Sequence, residues 1–172
     1  MKTIVRFSAV LALVAFVGCS ENQQPLAPQA VDLTKNGSAM SLNKTTSFKV
    51  SVSGEIANTG EATYELTGGG HASHLGNITY SGITHNALPT TNGISDDLTE
   101  TLTDAKGNQL IIQCHQDAVQ ISPGVYESTD DSWTVTGGTG RFSGATGSGS
   151  GTTHVDLNAN TFTKTCSGTI TY

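Results

Sequence analysis

The chain has 172 residues and carries eight Lys or Arg against 14 Asp or Glu, for a net charge of −6. That balance offers no basic footprint for nucleic acid, and the length suits a single domain. Charged residues are sparse while Thr and Gly are the commonest, a composition that favours strands and turns over helices.

The first element is a leader. Lys2 and Arg6 precede the apolar run Val10 to Val17, which Gly18 and Cys19 close. A basic start, an apolar stretch of roughly 7–15 residues and a small residue describe an export signal at 1–18, not a membrane span, which needs about 20 residues. Gly18-Cys19 resembles the lipobox of bacterial lipoproteins, with Phe16 where Leu is usual. The resemblance implies cleavage before Cys19 and a diacylglyceryl thioether on its thiol. It implies a lipid-anchored protein of the bacterial cell envelope, at the outer membrane or cell surface, since no Asp follows the cysteine. An ordinary secretory leader with an incidental cysteine is the alternative.

Loss of residues 1–18 leaves 154 residues with six basic against 14 acidic side chains, a net charge of −8. Charge cannot hold such a chain on an anionic membrane, so only the lipid would. Residues 20–46 are polar, with Pro25 and Pro28, and are predicted to be a disordered linker. A β-domain is predicted over 47–172.

That domain opens with a period of two. Phe48, Val50, Val52 and Ile56 alternate with Lys49, Ser51 and Ser53, as in a half-buried strand. Further strands are predicted at 61–69, 75–85, 97–104, 108–117, 124–136, 141–156 and 161–172. Turn chemistry stands at Asp104 to Asn108 and at Asn158 to Asn160. In the last strand Phe162, Lys164, Cys166, Gly168, Ile170 and Tyr172 share one face, and Thr and Ser hold the other. Lys164 is out of place there unless it lies near a rim. No segment carries a sustained helical period. About eight hairpin-connected strands must hide their edges, which closure into an antiparallel barrel achieves fully and a sandwich only partly.

Cys114 lies in register with Leu110 and Ile112, so both it and Cys166 sit on the more apolar faces of their strands. An even pair in an oxidising compartment predicts a disulfide between neighbouring strands. Closing that loop of about 50 residues would contribute roughly 4 kcal/mol. Two free buried thiols are the alternative, and no CxxC is present for redox chemistry.

The stretch from Trp133 to Gly149 is rich in glycine. It is not a dinucleotide fingerprint, because Ser143 stands where a third Gly belongs and no helix follows. No Gly-Lys-Ser/Thr triplet makes a P-loop. The run Gly137-Gly138-Thr139-Gly140-Arg141-Phe142-Ser143-Gly144-Ala145-Thr146-Gly147 resembles the turn-and-strand signature of allene oxide cyclase and dirigent-like barrels. His74-Leu75-Gly76-Asn77-Ile78-Thr79 and Asp104-Ala105-Lys106-Gly107-Asn108-Gln109-Leu110 fit the same resemblance in order, with Asn108 in place of Asp. The resemblance spans about 47–172 and implies an eight-stranded calycin-type barrel. Phe142 would pack inside, Arg141 would pair with an acid, and the His74 ring would bond a neighbouring strand's backbone.

Catalysis in that family uses lumen acids, and none of those positions is placed here by a matching motif. Glu100, between Leu98 and Leu102, is the candidate lumen acid, with a water-facing rim charge as the alternative. His71, His74, His85 and His115 do not space as a zinc set, so no metal or other cofactor is expected. Asp96-Asp97 and Asp130-Asp131 lack the alternation of calcium loops and are predicted to be solvated turns. Gly147 to Gly151 fits a serine elbow only with Gly at the nucleophile position. With no catalytic set, the sequence favours a non-enzymatic barrel that binds a small apolar ligand or a partner. A structural or adhesive surface module is the alternative, as is a cyclase- or dirigent-like enzyme acting on a lipid-derived or phenolic substrate. Oligomers are compatible with all three. Whether inward Gly54, Gly82 and Gly168 leave a void decides among them.

Overall fold

The structure is a computed structural model and describes residues 44–172. The leader, Cys19 and most of the linker therefore lie outside the described residues. Eight strands follow one another: β1 (Thr45–Gly60), β2 (Thr63–Ala72), β3 (Gly76–Pro89), β4 (Gly93–Asp104), β5 (Gln109–Ser122), β6 (Val125–Gly138), β7 (Thr146–Asp156) and β8 (Thr161–Thr171). Each pairs antiparallel with the next, and β8 returns to β1, so the sheet is a closed barrel. The seam runs from Thr45 opposite Thr171 to Glu55 opposite Thr161. Every strand thereby gains a partner on both sides, and no edge is left.

The period-two pattern decides which side chains go inside. Phe48, Leu66, Leu98, Leu102, Leu110, Phe162 and Ile170 are all essentially inaccessible, and burying one such side chain contributes about 1.5–3 kcal/mol. Phe48 meets Trp133 edge-on with ring centroids 5.7 Å apart, and Tyr80 leans on Phe162 at 5.4 Å. The alternate positions, Lys49, Ser51 and Ser53 among them, face water. Threonines pair across strands on that outer face, Thr45 with Thr171 at 2.7 Å and Thr152 with Thr165 at 2.9 Å.

The inward glycines leave no void. Gly149 and Gly168 are cross-strand partners, and a Cβ on either would meet the Trp133 ring at 2.5 or 2.6 Å. The indole therefore lies on bare backbone. Likewise a Cβ on Gly82 would meet the Tyr80 hydroxyl at 2.9 Å.

One predicted strand is shorter than its pattern. Residues 140–142 form a 3-10 turn and β7 begins at Thr146, not at 141. Gly140 and Gly144 have φ of +58° and +78°, left-handed values that break a strand. Gly140 has a second reason to be glycine, since a Cβ there would lie 1.9 Å from Asn108 Oδ1.

Candidate functional site

The two ends of the barrel are built differently. At one end the chain enters at Thr45 and leaves at Tyr172, beside the β2–β3, β4–β5 and β6–β7 connections. Phe142 turns in from the 3-10 turn, is fully buried and stacks on Tyr172 at 5.1 Å. Arg141 lies over the Phe142 ring at 4.7 Å. Its guanidinium donates to Asp104 (3.0 Å) and to the His74 carbonyl (2.5 Å). His74, at φ +67°, donates from Nε2 to the Ser47 carbonyl at 3.0 Å. Asp104 also accepts from the side chain of Asn108 and from the backbone of Lys106 and Asn108. Those bonds, the Asn108 side chain's foremost, hold its carboxyl down at about 2. This end is plugged.

Halfway along, the lumen holds a sealed polar cluster. Lys164 is 2 % exposed, which places it deep inside and not near a rim. Its ammonium donates to Glu100 and to Cys114 Sγ (3.2 Å), with Asp131 4.0 Å away. Glu100 is likewise a buried lumen carboxylate, not a rim charge, and accepts from Tyr80 at 2.9 Å. Burial is the largest single influence and opposes the Lys164 charge, but Glu100, Tyr80 and the two cysteines together outweigh it and raise the ammonium's pKa. Asp131, also fully buried, accepts from Ser128 and from Thr153 (2.5 Å). The void beside the cluster amounts to about 10 Å³, no more than one water. Glu100 thus has two protein partners and no room for a substrate.

The predicted disulfide is absent: Cys114 and Cys166 are both free. Cys114 is on β5 and Cys166 on β8, strands that do not pair in the barrel. A shared inward face therefore put both thiols on the lumen side, on strands that do not pair with each other, and the Lys164 ammonium lies against Cys114. Burial pushes each thiol up to about 12, which keeps both protonated.

At the opposite end the turns after β1, β3, β5 and β7 surround a cavity of about 40 Å³. Ile56, Leu66, Ile94, Ala118, Val155 and Leu157 give it apolar walls, and Tyr64, Thr84 and Tyr126 add hydroxyls. Thr84 is engaged by the Tyr64 backbone N–H at 2.8 Å. Asp96 and Gln116, cross-strand partners on β4 and β5, also line the cavity at 8 % and 6 % exposure. Asp96 Oδ1 and Gln116 Oε1 have no hydrogen-bond partner. Burial pushes the Asp96 carboxyl up to about 6 despite the opposing Gln116 amide. Leu88, Val119 and Ile121 are exposed at the same end.

The acidic pairs are therefore not solvated turns. Each sits on a strand and alternates: Asp96 and Asp131 point in, while Asp97 and Asp130 point out. Adjacent acids inside a period-two segment carry that signal, because one of the two must face the core. Outside, Asp97 pairs with His115 at 2.8 Å and raises the imidazole's pKa, chiefly through that hydrogen bond. His85 bonds Thr99 at 3.2 Å. His71 faces outward on β2 beside a broad, shallow groove lined with Ser and Thr. No three His, Cys, Asp or Glu side chains are grouped for a metal ion among the described residues.

The fold is that of a small closed antiparallel β-barrel with a packed lumen, one plugged end and one open end. No family model, curated protein or solved structure matches the chain.

Proposed function

We propose that the chain is an exported lipoprotein whose barrel acts by binding at its open end and not by catalysis. One observation carries the reading. The ionisable groups of the lumen are bonded to one another and sealed, whereas the open end keeps a cavity with unpartnered polar atoms. A catalytic acid must reach its substrate, and Glu100 reaches only Lys164 and Tyr80.

The anchor is supported by the leader and by Gly18-Cys19, whose lipobox resemblance implies a lipid on Cys19. The chain enters the barrel at its plugged end. With the chain entering there, a lipid anchor on Cys19 would leave the open end directed away from the membrane. The exposed basic side chains Lys44, Lys49, Lys106 and Arg141 gather at the plugged end, on the membrane side in this arrangement. The likeness of 137–147 to the cyclase and dirigent-like signature supports a relation in fold, with the family's chemistry not carried over.

Two measurements test the reading. Wild-type protein should partition with membranes and Cys19→Ala should appear in the soluble fraction; soluble wild type would refute the anchor. Amide resonances of Asp96, Gln116 and Ala118 should move on titration with small amphiphiles, while those around Lys164 stay fixed. No movement at the open end with any amphiphile would refute the binding role.

A further inference from the structure

We infer that the open end is a receptor site for a small organic cation, a primary ammonium on a slender apolar body, with its N–H groups donated to Asp96 Oδ1 and Gln116 Oε1. The inference rests on the binding role proposed above and adds the chemical class of the ligand.

Three independent observations converge on it. The first is the acceptor pair. Asp96 and Gln116 stand directly opposite each other on β4 and β5, both are more than nine-tenths buried, and the unpartnered atom on each is an oxygen that can only accept while Asp96 is ionised. A buried acceptor without a donor is destabilising, so the site favours whatever brings donors. An ammonium brings three N–H groups and the charge that a carboxylate prefers. A carboxylate or phosphate would bring neither.

The second observation is the wall. Ile56, Leu66, Val155 and Leu157, with the rings of Tyr64 and Tyr126, suit an apolar body and not a hydrated metal ion. Phenol rings add attraction for an organic cation. A volume of about 40 Å³ admits roughly three water-sized groups, which is an ammonium and its first methylenes. The remainder of a longer ligand would lie at the mouth, at the end where Leu88, Val119 and Ile121 are exposed.

The third is the distribution of charge. Glu61, Glu65, Asp97, Asp117, Glu127 and Asp156 stand in or near the open-end turns. Among the described residues no Lys or Arg accompanies them: Lys164 is in the lumen and the other four are at the plugged end. The field at the open end therefore draws cations and repels anions.

The test is a ligand series of constant size on the purified protein, followed by calorimetry and amide shifts: n-butylammonium, n-butanol and n-butyrate. Butylammonium should bind at least tenfold more tightly than butanol, and butyrate should not bind. Asp96→Asn should cut butylammonium affinity tenfold or more and leave butanol within twofold, whereas the outer-face change Glu127→Gln should alter neither by more than twofold. Equal binding of butanol and butylammonium would overturn the inference and leave the binding role standing. Butylammonium binding that survives Asp96→Asn but weakens with Glu127→Gln would overturn it in favour of loose surface attraction. Failure of all three probes to shift open-end resonances would overturn both. The ranking on wild-type protein decides the matter even if a variant does not fold.

Discussion

The two ends of this barrel share the same strands but not the same connections. At the plugged end the β6–β7 connection is seven residues long, 139–145, and folds Phe142 over the opening. At the other end the connections are two to four residues long, enough to turn the chain and no more. The consequence reaches the polar groups. Asp104 accepts from Asn108, Lys106 and Arg141, while Asp96 Oδ1 and Gln116 Oε1 accept from nothing. Loop length has divided one lattice of strands into a plugged end and an open one.

Four experiments would break or sharpen that contrast. The largest effect belongs to the plug: Phe142→Ala should cost about 3–5 kcal/mol in urea unfolding, against about 1 kcal/mol for half-buried Leu157→Ala at the open end. Equal losses would mean that the two ends are not different in kind. Next is the ion pair that separates them. Lys164→Met leaves Glu100 unpaired and should cost about 3 kcal/mol, most of it recovered when Glu100→Leu is added. A double variant no better than the single would show that the lumen tolerates no apolar substitute.

The third concerns Asp96. Its carboxyl titrates near 6 in the fold against an ordinary value of 3.8, so the folded state holds the proton more tightly than the unfolded chain. Stability should then fall as pH rises from about 4 through 6. Asp96→Asn removes that loss and should gain about 1–2 kcal/mol at pH 7, after allowing for partial contact with water, with no gain at pH 4. A variant less stable than wild type at pH 7 would contradict the burial of a carboxylate with one oxygen unpartnered. The smallest effect is the opposite limb. Asp104 is held near 2, so its contribution is complete above about pH 4 and is lost as pH falls towards 2. Asp104→Asn should flatten the acid side of a Tm-against-pH curve and leave the side above pH 4 parallel to wild type.

Much of the fold was legible because a strand's faces are written at every second residue. Phe162, Ile170 and the threonines between them define β8 in the sequence, and Asp104 to Asn108 and Asn158 to Asn160 mark real turns. Period two reports a side, however, and not a depth or an opposite wall. It put Lys164, Glu100, Cys114 and Cys166 on inward faces, but which of them touch depends on how the sheet closes. Closure brings Lys164 to Glu100 across 64 residues and keeps the cysteines on unpaired strands. The acceptor pair was hidden for a related reason: taking the strand to begin at Asp97 left Asp96 in a loop, whereas β4 begins at Gly93. The stretch 141–145 errs in the other direction: it runs straight into the alternating Thr, Gly and Ser of β7, and the left-handed φ of Gly140 and Gly144 is not visible in the sequence.

The seam between β1 and β8 has a kinetic meaning. The first strand's second partner is the last strand, so Thr45 waits for Thr171. A contact of such long sequence separation is slow to form, and no closed barrel exists until the final residues arrive. Under the export proposed above, which would start at the N-terminus, β8 would be the last strand to cross, and the topology would defer closure of the barrel until it had done so.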